Sequence, residues 1–440
     1  MQGKGLIIAA VLFAVLGGGV WYSNHLEAGK EGKPPEDSSP KLIDVKEDQF
    51  TRFEILRRDS NPVIVEGSGS SWKMTAPQQL SADAEAIGSL AATVGSFGTE
   101  KLIEEKAADL QAFGLDHPSL TVEATTKDKK HYKLLIGDET PTGSGFYAKL
   151  DGDPRVFTTY PYNRASIDKD WKDLRDKRLL KFDDSKVSRM EISARGQSFE
   201  LGKDASGDWQ ITKPGIYRAD NLQAEEMLRR LKEAKMDALS DEEAAKVPAA
   251  FAAGTLVAHA SVTTPEGTQQ IEVRRNKENY FARSSVIEGV FQVPADLGNG
   301  LDKSMDDLRN RKLFDFGFND PNRVEVREGE KVTTIVKAGE NWQRNGKNLD
   351  APEVQQIINK LRDLATIKFL PGGFTTPVLE LTVVSDSGKK TEKIQISRQG
   401  NSWIARRENE AALYELDGKV VEEIQQSVAS LKEAASTAKK

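Results

Sequence analysis

Four histidines, His25, His117, His131 and His259, are the first candidates for acid–base or metal chemistry. No two of them stand one helical turn apart and no H-E-x-x-H occurs, so the spacing that would aim two imidazoles at one metal ion is missing. The chain has no cysteine, which excludes thiolate ligands, thiol nucleophiles and disulfides. Ser-x-x-Lys occurs at Ser38–Lys41 and Ser387–Lys390, in turn-like sequence without a helix to hold the lysine over the serine. Gly388-Lys389 sits in a predicted hairpin turn, whereas a phosphate loop needs a strand-to-helix junction that points N–H groups at the phosphates. No G-x-S-x-G elbow is present. Paired carboxylates such as Asp151 with Asp153, or Asp183 with Asp184, have the chemistry for glycoside hydrolysis if held at the right separation. With 68 acidic residues in the chain, such pairs read first as solvated loops. The expectation is therefore a protein with no catalytic constellation, no cofactor and no bound metal.

The elements that would position any site are easier to read. At 440 residues the chain exceeds one ordinary core and calls for two to four domains. Its net charge of −6 is spread evenly, leaving no basic stripe for a nucleic-acid backbone. Residues 5–22 carry no charge and, at about 1.5 Å per residue, are long enough as a helix to cross a hydrocarbon core. Trp21 and Tyr22 then fall where interfacial aromatics belong. These features predict a signal-anchor over residues 1–24 and a flexible tether over 25–48, with the bulk of the chain on the extracytoplasmic side; a cleavable signal peptide is the competing reading of the same run.

Beyond the tether one pattern is written three times. Arg52-Phe53-Glu54-Ile55 returns as Arg189-Met190-Glu191-Ile192 and as Arg323-Val324-Glu325-Val326, alternating polar and apolar as a half-buried strand does. Each copy continues with a strand carrying Trp72, Trp209 or Trp342, whose common position favours a core role over exposed stacking on sugar rings. Each then opens a helix on Asp83, Asp220 or Asp350, an N-cap residue type, with Gln223 and Glu353 placed to complete capping boxes in the second and third copies. Four more strands follow, and the unit closes on WKDLRDKRLLKF at 171–182, MDDLRNRKLFDF at 305–316, and a worn form near 424–436. The third copy is about eleven residues shorter between its helix and fourth strand. The fold class expected is α+β: an N-terminal transmembrane helix, then three tandem repeats, each a mainly antiparallel sheet with two helices. The repeats span 49–184, 185–318 and 319–433, leaving a tail at 434–440. The closing phrase reads as one helix, with Trp171, Leu174 and Arg175, or Met305, Leu308 and Arg309, on one face and Leu179 and Leu313 near it. Arg175 and Arg309 are candidates for clamping a neighbouring repeat, through Glu191 or Glu325.

The tryptophan strand, the FYAKL and YFARS strands and the closing DLR[DN][KR][RK]L[LF] phrase resemble a bacterial family of single-span envelope proteins that carry tandem copies of a domain of unknown function. Its genes often lie beside those for gliding-motility-type ABC transporter subunits. The resemblance implies a non-enzymatic accessory or scaffold protein in the bacterial inner membrane, associated with an ABC-type complex. It brings no catalytic residue with it. The alternative is an envelope protein that binds or hydrolyses polysaccharide or peptidoglycan.

Overall fold

The computed structural model describes residues 40–318 and 321–434. The contacts divide the chain into two compact bodies, residues 1–177 with the first repeat and 178–440 with the second and third. The first repeat is a sheet of nine strands: β1 (Phe50–Arg57), β2 (Val63–Ser68), β3 (Ser71–Ala76), β4 (Leu80–Ser81), β5 (Lys101–Glu104), β6 (Leu120–Thr126), β7 (His131–Glu139), β8 (Phe146–Leu150) and β9 (Val156–Thr159). Their spatial order is β4-β3-β2-β1-β6-β7-β8-β9-β5. The second repeat has β10 (Arg189–Ala194), β11 (Gln197–Lys203), β12 (Trp209–Lys213), β13 (Tyr217–Arg218), β14 (Thr255–Thr264), β15 (Gly267–Asn276), β16 (Asn279–Ser284) and β17 (Val290–Val293). The third has β18 (Arg323–Glu328), β19 (Lys331–Ala338), β20 (Asn341–Arg344), β21 (Lys347–Asn348), β22 (Lys368–Leu370), β23 (Pro377–Ser385), β24 (Lys390–Gln399), β25 (Ser402–Arg407) and β26 (Leu413–Leu416). The third follows the same order, with β22 in the place of β5, whereas the second has eight strands among the described residues, β13-β12-β11-β10-β14-β15-β16-β17, without a counterpart of β5. The pairs within each sheet are antiparallel, as short connections require.

Alternation puts one face of each sheet into a core. In β6 the even-numbered apolar residues are buried and the odd-numbered ones half-exposed. The helices Ala84–Gly95, Asn221–Lys232 and Ala351–Asp363 cover those faces with Ile87, Leu90 and Val94, with Met227, Leu228 and Leu231, and with Val354, Ile357, Ile358 and Leu361. Trp72, Trp209 and Trp342 are 7%, 3% and 6% exposed within these cores, so none is a free stacking platform. Asp83, Asp220 and Asp350 all accept first-turn N–H groups. An Asp220→Ala variant is expected to lose about 1 kcal/mol in urea unfolding, since its carboxylate takes the Leu222 and Gln223 amides. Glu353 does not complete the capping box foreseen for it; its carboxylate instead accepts the Lys432 amide at 2.9 Å.

Several expectations are corrected. Among the described residues no helix is long and apolar enough to cross a membrane, and the fold is three antiparallel sheets with nine α-helices, without a spanning helix. The segment expected to form one, with Trp21 and Tyr22, lies outside the described residues. The repeats do not carry two helices each. The first has Ala84–Gly95, Pro161–Ile167 and Trp171–Leu174; the second adds Asp241–Ala252 to the matching set Asn221–Lys232, Ala295–Leu301 and Met305–Leu308; the third has Ala351–Asp363 and Gly418–Ala429. The closing helix ends at Leu174 and at Leu308, because Arg175 and Arg309 turn extended, with ψ of 146° and 141°. The end of the expected tether already belongs to the first repeat: Lys41 bridges Gly98, the Leu42 amide donates to Phe97 at 2.9 Å, and Ile43 is 2% exposed in the first core.

Candidate interaction site at the repeat junction

The repeated phrase is two half-phrases with different owners. Leu174 is buried in the first core, whereas Leu179 and Leu180 are buried in the second. Leu308 closes the second core, whereas Leu313, Phe314 and Phe316 open the third. Backbone pairing fixes the register. Arg175 bridges Ala82 and Arg309 bridges Ala219, at the sheet edge of the repeat being closed. Arg178 bridges Lys235 and Lys312 bridges Ala365, behind the first helix of the repeat being opened. Among the described residues the first repeat begins with an opening half, Lys41-Leu42-Ile43, and the third ends with a closing half, in which Glu433 bridges Leu349.

At the junction of repeats 2 and 3 this stitching gathers charge. Arg309 is 8% exposed, with its guanidinium 3.6 Å from the Phe369 ring centroid and 4.3 Å from that of Tyr217, and it pairs with Asp306 at 3.3 Å. One aromatic comes from each repeat, so this arginine is a clamp made by stacking. The glutamates foreseen as its partners lie elsewhere: Glu325 pairs with Arg323 and Arg327, and Glu191 with Arg189. Arg175 lies 5.2 Å from the Trp171 ring, and burial pushes its guanidinium pKa down.

Beside Arg309 lies a network that the sequence reading missed. Arg218, on β13, donates to both Asp315 oxygens at 2.7 Å and reaches Glu410 at 3.1 Å. It also donates to the Lys312 carbonyl at 2.5 Å. Arg407 pairs with Glu410 at 2.6 Å, with Glu392 at 3.2 Å and with Asp315 at 3.4 Å, and donates to the Leu313 carbonyl. Tyr414 donates to Glu410 at 2.9 Å. Burial opposes the charge on Arg218, but Asp315, Tyr414 and Glu410 together hold its pKa above the ordinary arginine value. Burial also pushes the Tyr414 phenol up. Glu392, 5% exposed, accepts the Asp315 amide at 2.8 Å.

At the same corner of repeat 2 four of these positions are uncharged. By strand register, Gln269 stands for Glu392, Ser284 for Arg407, Ile287 for Glu410 and Phe291 for Tyr414. Gln269 exchanges two hydrogen bonds with the Lys181 backbone, at 2.7 and 2.5 Å, and Ser284 donates to the Leu179 carbonyl. Gln269 and Ser284 make backbone hydrogen bonds here, and Asp315 is matched by Lys181, whose amide Gln269 accepts as Glu392 accepts that of Asp315. The available signal was the simultaneous change from neutral to charged at register-matched positions, which appears only once the strands are aligned. Next to the network a cleft of about 780 Å³ runs between the two repeats, walled by Trp209, Tyr217, Arg218, Asp315 and Glu410, with Ile216 76% exposed at its rim. The arginines and carboxylates of the network are bound to one another, which suits them to fixing geometry rather than to proton transfer.

The family model for a domain of unknown function, DUF4340, matches residues 72–253 and again residues 209–381. Each match starts on the tryptophan of one repeat and runs through the next closing phrase, so each spans a junction. No curated protein matches this chain. Among solved structures, a DNA polymerase sliding clamp from Pseudomonas aeruginosa, crystallised with ligand, aligns over 85% of this chain and 92% of its own, with 8% identity and a TM-score of 0.14. At that score no argument follows from it.

Proposed function

Because the chain belongs to the DUF4340 family, with two overlapping copies of that domain of unknown function across residues 72–381, we propose that it is a non-enzymatic scaffold built from tandem domains. The carrying observation is the junction of repeats 2 and 3. There Arg309 sits between one aromatic from each repeat, and Arg218 reaches from the second repeat into carboxylates of the third. Such a lock holds two domains in one register and so presents their surfaces together, as a docking platform needs. The partner we propose is the membrane part of an ABC-type transport complex, and the place the extracytoplasmic side of the bacterial inner membrane. Both follow from the resemblance carried by the closing phrase and the tryptophan strands. The burial of Trp72, Trp209 and Trp342 speaks against a glycan reader that stacks sugars on them.

The test is cross-linking of the full-length protein in native membranes, with mass spectrometry of what is captured. Recovery of ABC transporter membrane subunits, lost when residues 41–434 are removed, is the expected result. Capture of no protein, with the chain instead retained on purified cell-wall polymer, overturns the scaffold reading.

A further inference from the structure

Single apolar residues are normal on a protein surface, so an exposed aliphatic carries meaning only through where it stands. Among the described residues the three most exposed leucine, isoleucine or valine side chains are Leu222, Ile216 and Ile367, at 80%, 76% and 57%. All three border the junction of repeats 2 and 3. Ile216 walls the cleft there and precedes Tyr217, whose ring lies against Arg309. Leu222 follows Asn221, another wall of the cleft, and the amide of the capping Asp220 donates to the Leu308 carbonyl at 2.8 Å. Ile367 stands two residues before Phe369, the other ring on Arg309, and its carbonyl accepts from Arg311 at 3.3 Å.

The matched positions of the other copies are not aliphatic in this way. Ile211 pairs with Tyr217 as Met74 pairs with Leu80, which aligns Ile216 with Gln79; the shorter hairpin of repeat 3 has Gly346 before Lys347. Counting from the N-capping aspartates aligns Leu222 with Glu85 and Pro352. The amides of Glu100, Asp237 and Ile367 donate to the matched carbonyls of Thr158, Gln292 and Glu415 at 2.8, 2.9 and 2.9 Å, which aligns Ile367 with two acids. The fold therefore does not require an aliphatic at any of the three places. The same corner of repeat 2 also gains charge. Asp204 and Asp208, which wall the cleft, align through the neighbouring strand pairs with Ser68 and Ser71 in repeat 1 and with Ala338 and Asn341 in repeat 3. Asp204 accepts the Ser206 and Asp208 amides and Asp208 accepts from the Asn221 side chain, but neither carboxylate has an ion-pair partner among the described residues.

We propose that the junction of repeats 2 and 3 is a docking face for a basic, aliphatic-rich segment of a partner protein, with Ile216, Leu222 and Ile367 as its apolar anchors and Asp204 and Asp208 as the receivers of the partner's lysines or arginines. Apolar anchors beside unpaired charge are the usual make-up of such a face, the first giving affinity and the second orientation. The lock around Arg218 and Arg309 holds the anchors of both repeats at a fixed spacing, so a segment that uses both pays little to order them. The assignment rests on the scaffold reading and names the chemistry of its partner.

The test places a photo-cross-linking residue at Ala205, exposed in the turn between the two aspartates, in the full-length protein in native membranes. The captured peptide is then sequenced by mass spectrometry. The expected adduct is a segment of another protein that carries leucine, isoleucine or valine beside several lysines or arginines. Its yield is expected to fall about tenfold or more in the variant Ile216→Gln, Leu222→Glu, Ile367→Glu, with the unfolding midpoint unchanged, because each new residue stands at the matched place in repeat 1. An unchanged yield from that variant overturns the docking face, as do adducts only to lipid, to a second copy of this chain or to a segment without basic residues. No adduct at Ala205, while a partner is captured elsewhere on the chain, overturns it and leaves the scaffold reading standing; no protein captured from any position overturns both. Should the triple variant fail to fold, Leu222→Glu alone decides: the yield must fall.

Discussion

Replacing Arg218 with alanine is expected to destabilise the second body of the chain by about 3 kcal/mol. The substitution strands Asp315 and Glu410, whose side chains are 28% and 23% exposed, and removes a guanidinium that is 20% exposed and bound to both. Removing one partner of a buried ionic network costs more than the network's net contribution, because the remaining carboxylates stay desolvated without their counter-charge. The figure is taken at the low end because all three groups keep some contact with water. Urea unfolding of the parent, Arg218→Ala, Asp315→Asn and the double variant measures it. The double variant should recover part of the loss, so that the cycle shows a coupling of about 1 kcal/mol or more. Strictly additive losses would mean that the 2.7 Å contacts between Arg218 and Asp315 carry no energy, and the lock at the core of the proposed scaffold would lose its physical basis.

The second large effect concerns the split phrase. Leu308 and Leu313 are five residues apart, and both are fully buried, at 1% and 0% exposure. They belong to different cores. Truncating either to alanine should cost about 2–5 kcal/mol, through lost apolar burial and the cavity left behind. The location of the damage is the informative part. Hydrogen exchange measured by mass spectrometry should quicken mainly in β10–β17 for Leu308→Ala and mainly in β18–β26 for Leu313→Ala. The same exchange pattern from both variants would show that the phrase acts as a single closing element and that the half-phrase boundary at Arg309 has no energetic meaning.

Much of the architecture was present in the amino-acid sequence. Three rounds of Arg-x-Glu alternation, three tryptophans in step and three N-capping aspartates specify three copies of one sheet-and-helix unit, because period-two and period-3.6 patterns are local and survive in any context. The cores around Trp72, Trp209 and Trp342 follow directly from those patterns. The ends of elements did not follow. A four-residue helix that stops at Leu174 or Leu308 has the same amphipathic spacing as the start of a longer one, and it was the pairing of Arg175 with Ala82 and of Arg309 with Ala219 that drew the backbone extended. The sequence alone therefore determined that a phrase recurs, while the tertiary structure decided that each recurrence is shared between two cores. The same holds for the charged residues. Arg218, Asp315, Glu392, Arg407 and Glu410 are scattered over almost two hundred positions of a chain rich in charge, and no local pattern joins them. Only the folding of one sheet edge against the next repeat brings them within hydrogen-bonding distance. Periodicity is written along the chain and can be read there; contact between distant strands depends on register, and register is set by the fold.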